Sequence, residues 1–320
     1  MDYRNLAKLL QEKVPNLIVH LNHPLAPYTT LKIGGPADLF IKSSGLNQFI
    51  SIVKLLHQQK VLRPTILGHG SNVLISDSGI RGVVIQNSGD HININSATNQ
   101  VTLSSGTSLP HAIDFLLPKN LIGLETFAYI PATIGGAIHG NIHGFDKSNF
   151  SQFIDSIQVF NYQTGKIETL KTTDSSWSYD LSPFQEKTEN PATAGPHLII
   201  LSATLNLKKG DGQQAKKIAA DIIATKKQTQ PFHSAGCTFK NLPAEAGLPN
   251  QSAGFLIDSL GLKGHRQGDL QISPLHANFI VNTRHGTTKD YLKLVEFIRQ
   301  KVKQKYGLNL ELEIKLLGKF

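Results

Sequence analysis

Cysteine is nearly absent from this 320-residue sequence. Cys237 stands alone, which excludes an intramolecular disulfide and a zinc site built on cysteine pairs, and no metal site is expected. Tryptophan and methionine also occur once each, and aromatic residues make up only 7% of the chain. The basic residues are therefore not interleaved with aromatics, as a nucleic-acid surface would have them. Lys216-Lys217, Lys226-Lys227 and the basic stretch at 299–305 read instead as solvated surface, and no nucleic-acid partner is expected. No segment approaches the ~18 apolar residues of a membrane span. No uninterrupted apolar core follows Met1-Asp2-Tyr3-Arg4-Asn5, so no secretory leader is read there. The expectation is a cytoplasmic protein without membrane insertion. Acidic residues are also in deficit, 23 against 32 basic ones, for a net charge of +9. That balance favours an anionic partner. Neither Gly-X-Gly-X-X-Gly nor a Walker sequence occurs, which sets aside two familiar phosphate-binding schemes.

What is present is a globular composition, 40% hydrophobic and 17% charged, on a chain long enough for two domains and a sizeable core. Leu6, Leu9, Leu10 and Val14 recur at helical spacing, which predicts a helix over 2–14. Two short strands are expected around Gly34-Gly35-Pro36, a helix over 46–60, and short strands at 83–85, 92–94 and 101–103. A short helix over 108–117 follows. Strands at 154–161 and 166–170 flank Tyr162-Gln163-Thr164-Gly165, a hairpin signature. A strand over 197–207 precedes Lys208-Lys209-Gly210-Asp211-Gly212, the best linker by composition. Beyond it, helices are predicted over 213–228, 252–260 and 288–306, the last stopped by Gly307, with strands at 279–281 and 308–317.

Two stretches carry chemistry. Ile66-Leu67-Gly68-His69-Gly70-Ser71-Asn72-Val73-Leu74-Ile75-Ser76-Asp77 reads as strand, tight turn, strand. A turn of this make-up leaves backbone N–H groups pointing one way, and such a concave array holds phosphate oxygens without a charged side chain. The bland alternative is a hairpin loop with nothing bound. The second stretch, Ile130-Pro131-Ala132-Thr133-Ile134-Gly135-Gly136-Ala137, is dense in small residues that admit a flat ring or a phosphate. Its bland alternative is a Gly-rich turn entering a buried helix. Together the two suggest a dinucleotide held outside the Rossmann scheme.

Thr30-Leu31-Lys32-Ile33-Gly34-Gly35-Pro36-Ala37-Asp38-Leu39-Phe40, the 67–77 stretch and Ile130 through Asn141 resemble the UDP-N-acetylenolpyruvoylglucosamine reductase family. The resemblance continues, in the family's order, through Ser234-Ala235-Gly236-Cys237-Thr238-Phe239-Lys240-Asn241, Ala253-Gly254-Phe255-Leu256-Ile257, His276-Ala277-Asn278-Phe279-Ile280-Val281-Asn282 and Leu310-Glu311-Leu312-Glu313-Ile314. It implies an α+β fold. A two-subdomain FAD-binding portion of vanillyl-alcohol-oxidase type would occupy residues 1–210, with subdomains of about 1–80 and 81–210. A smaller α+β substrate domain would span 211–305, and a C-terminal strand at 306–320 would return to the flavin site. The implied cofactors are FAD and NADPH, the substrate a nucleotide sugar, and the molecule is expected to be a monomer.

The implied reaction is reduction of UDP-N-acetylglucosamine enolpyruvate to UDP-N-acetylmuramate in peptidoglycan precursor synthesis. FAD contacts would come from Ile33, Gly34 and Gly35, from Leu67, Gly68, His69, Gly70, Ser71 and Asn72, and from Ile130, Pro131, Ala132, Thr133, Gly135, Gly136 and Ala137. Substrate contacts would come from Tyr179, Ser182, Lys240 and Asn241. Hydride addition next to a carboxylate leaves a carbanion-like carbon that needs a proton donor and a nearby electrophile. The resemblance gives the first role to Cys237, whose bland alternative is a small buried hydrophobe. It gives Glu313 the catalytic carboxylate; period-2 alternation would put Glu311 and Glu313 on one face of the last strand.

Two departures stand out. The family's Tyr-Arg-Asp-Ser-X-Phe-Lys reads here Tyr179-Asp180-Leu181-Ser182-Pro183-Phe184-Gln185, so its catalytic arginine is Asp180. The family's Asn-Ala-Gly-Ala-Tyr-Gly reads Asn141-Ile142-His143-Gly144-Phe145-Asp146, with a side chain where the flavin floor has glycine. Lys240, Arg266, Arg284, His139 and His143 are candidates for the missing cation. The alternatives are another FAD-dependent oxidoreductase on the same fold, or a catalytically impaired flavin-binding relative.

Overall fold

The structure is a computed structural model that describes residues 1–62, 64–174, 177–178, 180–185, 197–242 and 252–320. Two compact units emerge, neither contiguous in sequence. The first comprises Met1–His23, Asp38–His69 and Gly82–Thr225; the second comprises Pro24–Ala37, Gly70–Arg81 and Lys226–Phe320. The division at residue 225 falls inside the helix Gly212–Thr229, and not at the Lys208-to-Gly212 linker. Segments 24–37 and 70–81 go with the C-terminal part because backbone bonds tie them there. Gly35 N–H donates to Ser76 O at 2.9 Å, and Ser76 N–H donates to Leu317 O at 2.9 Å.

In the first unit, Ile18–Pro24, Pro36–Ser43, Ile80–Asn87 and Thr65–Leu67 form a sheet in that order. Its Leu39, Ile41, Val83 and Ile85 pack on Leu6 and Leu10 of the helix Tyr3–Lys13 and on Phe49, Ile52, Val53 and Leu56 of the helix Leu46–Gln58. The i, i+3, i+4 spacing of those residues supplies the buried stripe. Asp2 starts the first helix by accepting from the N–H groups of Arg4 and Asn5. A second, five-stranded antiparallel sheet runs Lys166–Lys171, Ile154–Asn161, Leu198–Asn206, Gln100–Ser104, Ile92–Asn95. Its hairpin turns at Gly165, φ +69°, as the turn residues demand. The helices Leu109–Leu116, Ile134–Gly140 and Gly212–Thr229 contribute to the core of this part.

The second unit has its own core, built from Leu256 and Ile257 of the helix Ala253–Ser259 and from Tyr291, Leu294, Val295, Ile298 and Val302 of the helix Thr288–Tyr306. They pack with the small sheet Arg266–Gln267, Leu270–Ile272, Ile280–Asn282 and with Leu31, Ile33 and Leu74. Thr287 caps the long helix by accepting from Asp290 N–H, and Gly307 at φ +73° ends it.

Three expectations change. Of the two strands predicted around Gly34-Gly35, only Pro36–Ser43 forms, and Ala26–Tyr28 is a 3-10 turn. Gly35 approaches the backbone so closely that a Cβ there would lie 2.1 Å from Asp77 O. The predicted strand over 308–317 shrinks to Lys315–Leu317, with one isolated bridge between Phe239 and Leu312. Leu310 and Ile314 are pulled into the core instead of holding a ladder. Finally, residues 65–75 are not a hairpin. Thr65–Leu67 pairs parallel with Ile80–Asn87, whereas Val73–Ile75 pairs parallel with Lys315–Leu317. Among the described residues no helix is long and apolar enough to cross a membrane.

Candidate functional site

Residues 68–72 connect strands of two different sheets and take no register position in either ladder, although Gly70 O and Asn72 O accept from the N–H groups of Thr30 and Lys315. The main-chain N–H groups of His69, Gly70 and Ser71 find no acceptor among the described residues. Three successive amides left without a partner are what an anion such as a diphosphate requires, so this stretch fits the FAD that the sequence implies. Gly70 has φ +61°, and a Cβ on it would meet Tyr28 O at 2.3 Å. Thr30 N–H donates to Gly70 O, and Thr30 Oγ1 donates to Ser234 O at 2.6 Å, which fixes the turn. Gly34 and Gly35 serve close packing: Gly34 lies against Ile75, and Ile33 is part of the core.

The 130–137 stretch offers something different. Its amides are largely used: Ile134 N–H donates to Thr107 O, Gly135 N–H to Ser105 O, and Gly136 N–H to Thr133 Oγ1. What remains is space. A Cβ on Gly136 would meet only Thr133 Oγ1, at 3.4 Å, whereas one on Gly135 would meet Ser105 at 2.9 Å. Gly68 also abuts Thr133, 2.5 Å from Oγ1 to a built Cβ. Gly136 thus faces an open surface that a flat group can approach. Pro131 is exposed, while Ala132, Thr133 and Ala137 are buried.

After the helix Ile134–Gly140 the chain turns at Asn141, φ +42°. The Asn141 amide donates to Ser178 O at 2.7 Å, and its oxygen accepts from Ser151 N–H at 3.0 Å. Ser182 Oγ donates to His139 O at 2.7 Å, so its hydroxyl is tied to the backbone. His143 Nδ1 lies 3.1 Å from Asp180 Oδ1. Tyr179 lies outside the described residues.

In the second unit, the segment that bears Cys237 is held on both sides. Thr238 N–H donates to Asn278 O at 2.7 Å, and Asn278 closes the contact through its side chain with Phe239 N–H (3.0 Å) and Phe239 O (2.8 Å). Opposite, Glu313 N–H donates to Thr238 O and Lys240 N–H donates to Glu311 O, both at 2.9 Å. Thr238 Oγ1 sits 3.1 Å from the Tyr291 hydroxyl, and burial pushes that phenol above its usual range. Cys237 is half-buried and in no disulfide. Glu313 is half-buried, and Glu311 is exposed with Lys240 Nζ 3.5 Å away. Asn241 Oδ1 accepts from Ala253 N–H at 3.2 Å, supporting the start of a helix.

Lys226 and His276 belong to this neighbourhood and were not singled out from the sequence. Burial holds Lys226 below its ordinary value, opposed by its electrostatic interaction with Cys237. Burial, then Lys226 and Lys263, hold His276 low, opposed by Asp258. The one signal that could have found His276 is its place in the His276-Ala277-Asn278 string; Lys226 carries none beyond its charge.

The family model for FAD binding domains matches residues 37–171, so the chain is a flavin-dependent protein of the oxidoreductase class. The model for the C-terminal domain of UDP-N-acetylenolpyruvoylglucosamine reductase matches residues 227–317. The reductase of Listeria monocytogenes serovar 1/2a is 34% identical over 315 residues, covering 97% of this chain and 98% of that one. That of Caldanaerobacter subterraneus is 33% identical, covering 98% and 99%. The crystal structure of the Thermus caldophilus enzyme superposes with a TM-score of 0.73 at 30% identity, covering 94% and 99%. The chain belongs to the UDP-N-acetylenolpyruvoylglucosamine reductase family. Its fold is α+β, an FAD-binding domain with the family's C-terminal domain. It is an FAD-dependent, NADPH-using enzyme that reduces UDP-N-acetylenolpyruvoylglucosamine in peptidoglycan synthesis.

Proposed function

We propose the following division of labour among the residues of this reductase. The amides of His69, Gly70 and Ser71 take diphosphate oxygens of FAD, and the small-residue surface at Gly136 lets a flat ring approach. FAD held there would supply the redox chemistry between NADPH and the enolpyruvyl group of the substrate. Cys237 supplies the proton that the neighbouring carbon then needs; its thiol gives H⁺ and becomes a thiolate, so charge balances. Glu313 orders the proton-donating segment. Ser182 acts through the backbone of His139, and Lys240 and Asn241 face the diphosphate or sugar of the substrate, with Tyr179 a further contact. The protein works in the cytoplasm as a monomer, without inserting into a membrane and without nucleic acid.

The observation that carries this reading is the pairing of Thr238 O with Glu313 N–H at 2.9 Å. It registers two residues, Cys237 and Glu313, that the family motifs single out from opposite ends of the C-terminal domain. The test is to separate the half-reactions. Cys237→Ala is expected to be bleached by NADPH at the wild-type rate and reoxidised by substrate about 10²–10⁴-fold more slowly, the usual loss on removing a positioned acid. Equal slowing of both steps removes Cys237 from the role.

A further inference from the structure

Asn278 is 3% exposed and contributes one bond to each of the three peptide planes that follow Cys237. Its main-chain oxygen accepts from Thr238 N–H at 2.7 Å, its Oδ1 accepts from Phe239 N–H at 3.0 Å, and its Nδ2 donates to Phe239 O at 2.8 Å. The reason lies in the pairing on the far side. Phe239 and Leu312 face each other in an antiparallel bridge whose bonds belong to their neighbours, Glu313 N–H to Thr238 O and Lys240 N–H to Glu311 O. In a pair of this kind the N–H and C=O of the central residue point outward. Phe239 is fully buried, so both groups need partners there. The Asn278 amide supplies them, an acceptor and a donor on one carbon, where a further strand would otherwise be required. Its own main-chain N–H donates to His276 Nδ1 at 3.3 Å, and the start of the helix Ala253–Ser259 packs close by, a Cβ on Gly254 lying 3.6 Å from Asn278 Cβ. Gly236, immediately upstream of Cys237, has φ +79°, and a Cβ built on it would meet only Ser71 O, at 4.0 Å. The chain beside Cys237 therefore has room to shift once the side-chain bonds of Asn278 are lost.

We propose that Asn278 is the positioning residue of the proton transfer: its side-chain amide aims the Cys237 segment so that the thiol proton meets the substrate carbon. The proposal rests on the reductase reading above, in which Cys237 gives that proton. Asn278 itself exchanges no proton and acts only through the backbone it holds. A displacement of about 1 Å in a reacting group is enough to cost about 10²-fold in rate. Asparagine is the side chain that the place demands. Aspartate keeps the acceptor for Phe239 N–H but, when ionised, turns a second acceptor toward Phe239 O. Alanine leaves both groups of Phe239 unmet. Neither change reaches the NADPH half of the cycle, because flavin reduction takes no proton from Cys237.

The experiment bleaches the FAD-loaded enzyme anaerobically with NADPH and times its reoxidation by UDP-N-acetylglucosamine enolpyruvate. Asn278→Ala is expected to be bleached within about threefold of the wild-type rate and reoxidised about 10–10²-fold more slowly. In Cys237→Ala/Asn278→Ala that second loss should vanish, leaving reoxidation within about threefold of Cys237→Ala alone, since two groups that act as one unit do not add. A merely structural asparagine would instead slow the double variant by its full factor again. Asn278→Asp supplies the conservative rescue. Its deficit relative to wild type should shrink as pH falls from about 8 toward about 5.5, where a carboxyl raised by burial takes up a proton and donates to Phe239 O. His276 is present in both proteins and drops out of that ratio. Asn278→Ala that reoxidises within about threefold of wild type, or a loss that multiplies in the double variant, overturns the proposal. If Asn278→Ala does not retain flavin, Asn278→Asp decides, and a deficit indifferent to pH overturns it. Cys237→Ala that reoxidises like wild type overturns the proton-donor reading and the proposal with it, whereas failure of the Asn278 variants leaves that reading standing.

Discussion

Glu313 donates its main-chain N–H to the carbonyl oxygen of Thr238 at 2.9 Å, and Lys240 returns a bond of the same length to Glu311 O. These two bonds bracket the Phe239–Leu312 bridge and set the Cys237 segment against the end of the chain. Asn278 grips the same segment from the other side. A segment held by backbone bonds on both flanks keeps its position when one of its side chains is changed. Cys237→Ser should therefore fold like wild type and retain much of the substrate-dependent reoxidation, whereas Cys237→Ala should lose about 10²–10⁴-fold. Stopped-flow absorbance of the flavin reads both.

Gly136 and Gly70 are expected to fail in different ways. A side chain at Gly136 meets little of the chain itself, so Gly136→Val should fold and lose flavin affinity at the open face. At Gly70, φ +61° and the nearness of Tyr28 O oppose any side chain, so Gly70→Val should lose stability before flavin binding can be asked about. Urea unfolding of the two apoproteins, set beside flavin titration, separates the cases. Matching losses of stability would contradict the assignment of Gly136 to ligand space.

How much of this was legible in the sequence depends on the range of the forces involved. The helix Thr288–Tyr306 and its Gly307 stop could be read because a buried stripe, a threonine cap and a left-handed glycine are local signals. The hairpin at Tyr162-Gln163-Thr164-Gly165 could be read for the same reason. The partners of Thr65–Leu67 and Val73–Ile75 could not, since parallel pairing joins strands remote in sequence and the short runs suit a hairpin equally well. At the site, Cys237 was marked by its motif. His143 was only one of five candidate cations, because nothing local in either stretch announces that residues 143 and 180 meet.

The buried Thr238–Tyr291 hydrogen bond joins the long helix to the Cys237 segment. Tyr291→Phe should lower unfolding stability by about 1–3 kcal/mol, the usual range when a buried polar group loses its partner. Chemical denaturation measures this. A change well below that range would mean that Thr238 finds another acceptor or donor at no expense.

His276 supplies a pH dependence. Its folded-state value is held low, first by burial and then by Lys226 and Lys263, and its Nδ1 accepts from Asn278 N–H at 3.3 Å, a bond that protonation of Nδ1 abolishes. A base depressed on folding contributes stability that is complete above its unfolded value and is lost as pH falls through the folded one. Wild-type protein should therefore weaken on acidification below about pH 6.5, where an unperturbed histidine titrates. His276→Asn should lose less over the same interval. Parallel slopes of stability against pH would remove His276 from this role.

The central claim is that this chain runs the reductase cycle with its own set of residues, Asp180 included. The most direct measurement is anaerobic: bleach the FAD-loaded protein with NADPH, remove excess nucleotide, add UDP-N-acetylglucosamine enolpyruvate, and follow the flavin absorbance. The account predicts that the colour returns, one equivalent of substrate consumed per flavin, with UDP-N-acetylmuramate as product. Flavin that bleaches and stays bleached with this substrate, yet recovers with another acceptor, would contradict it.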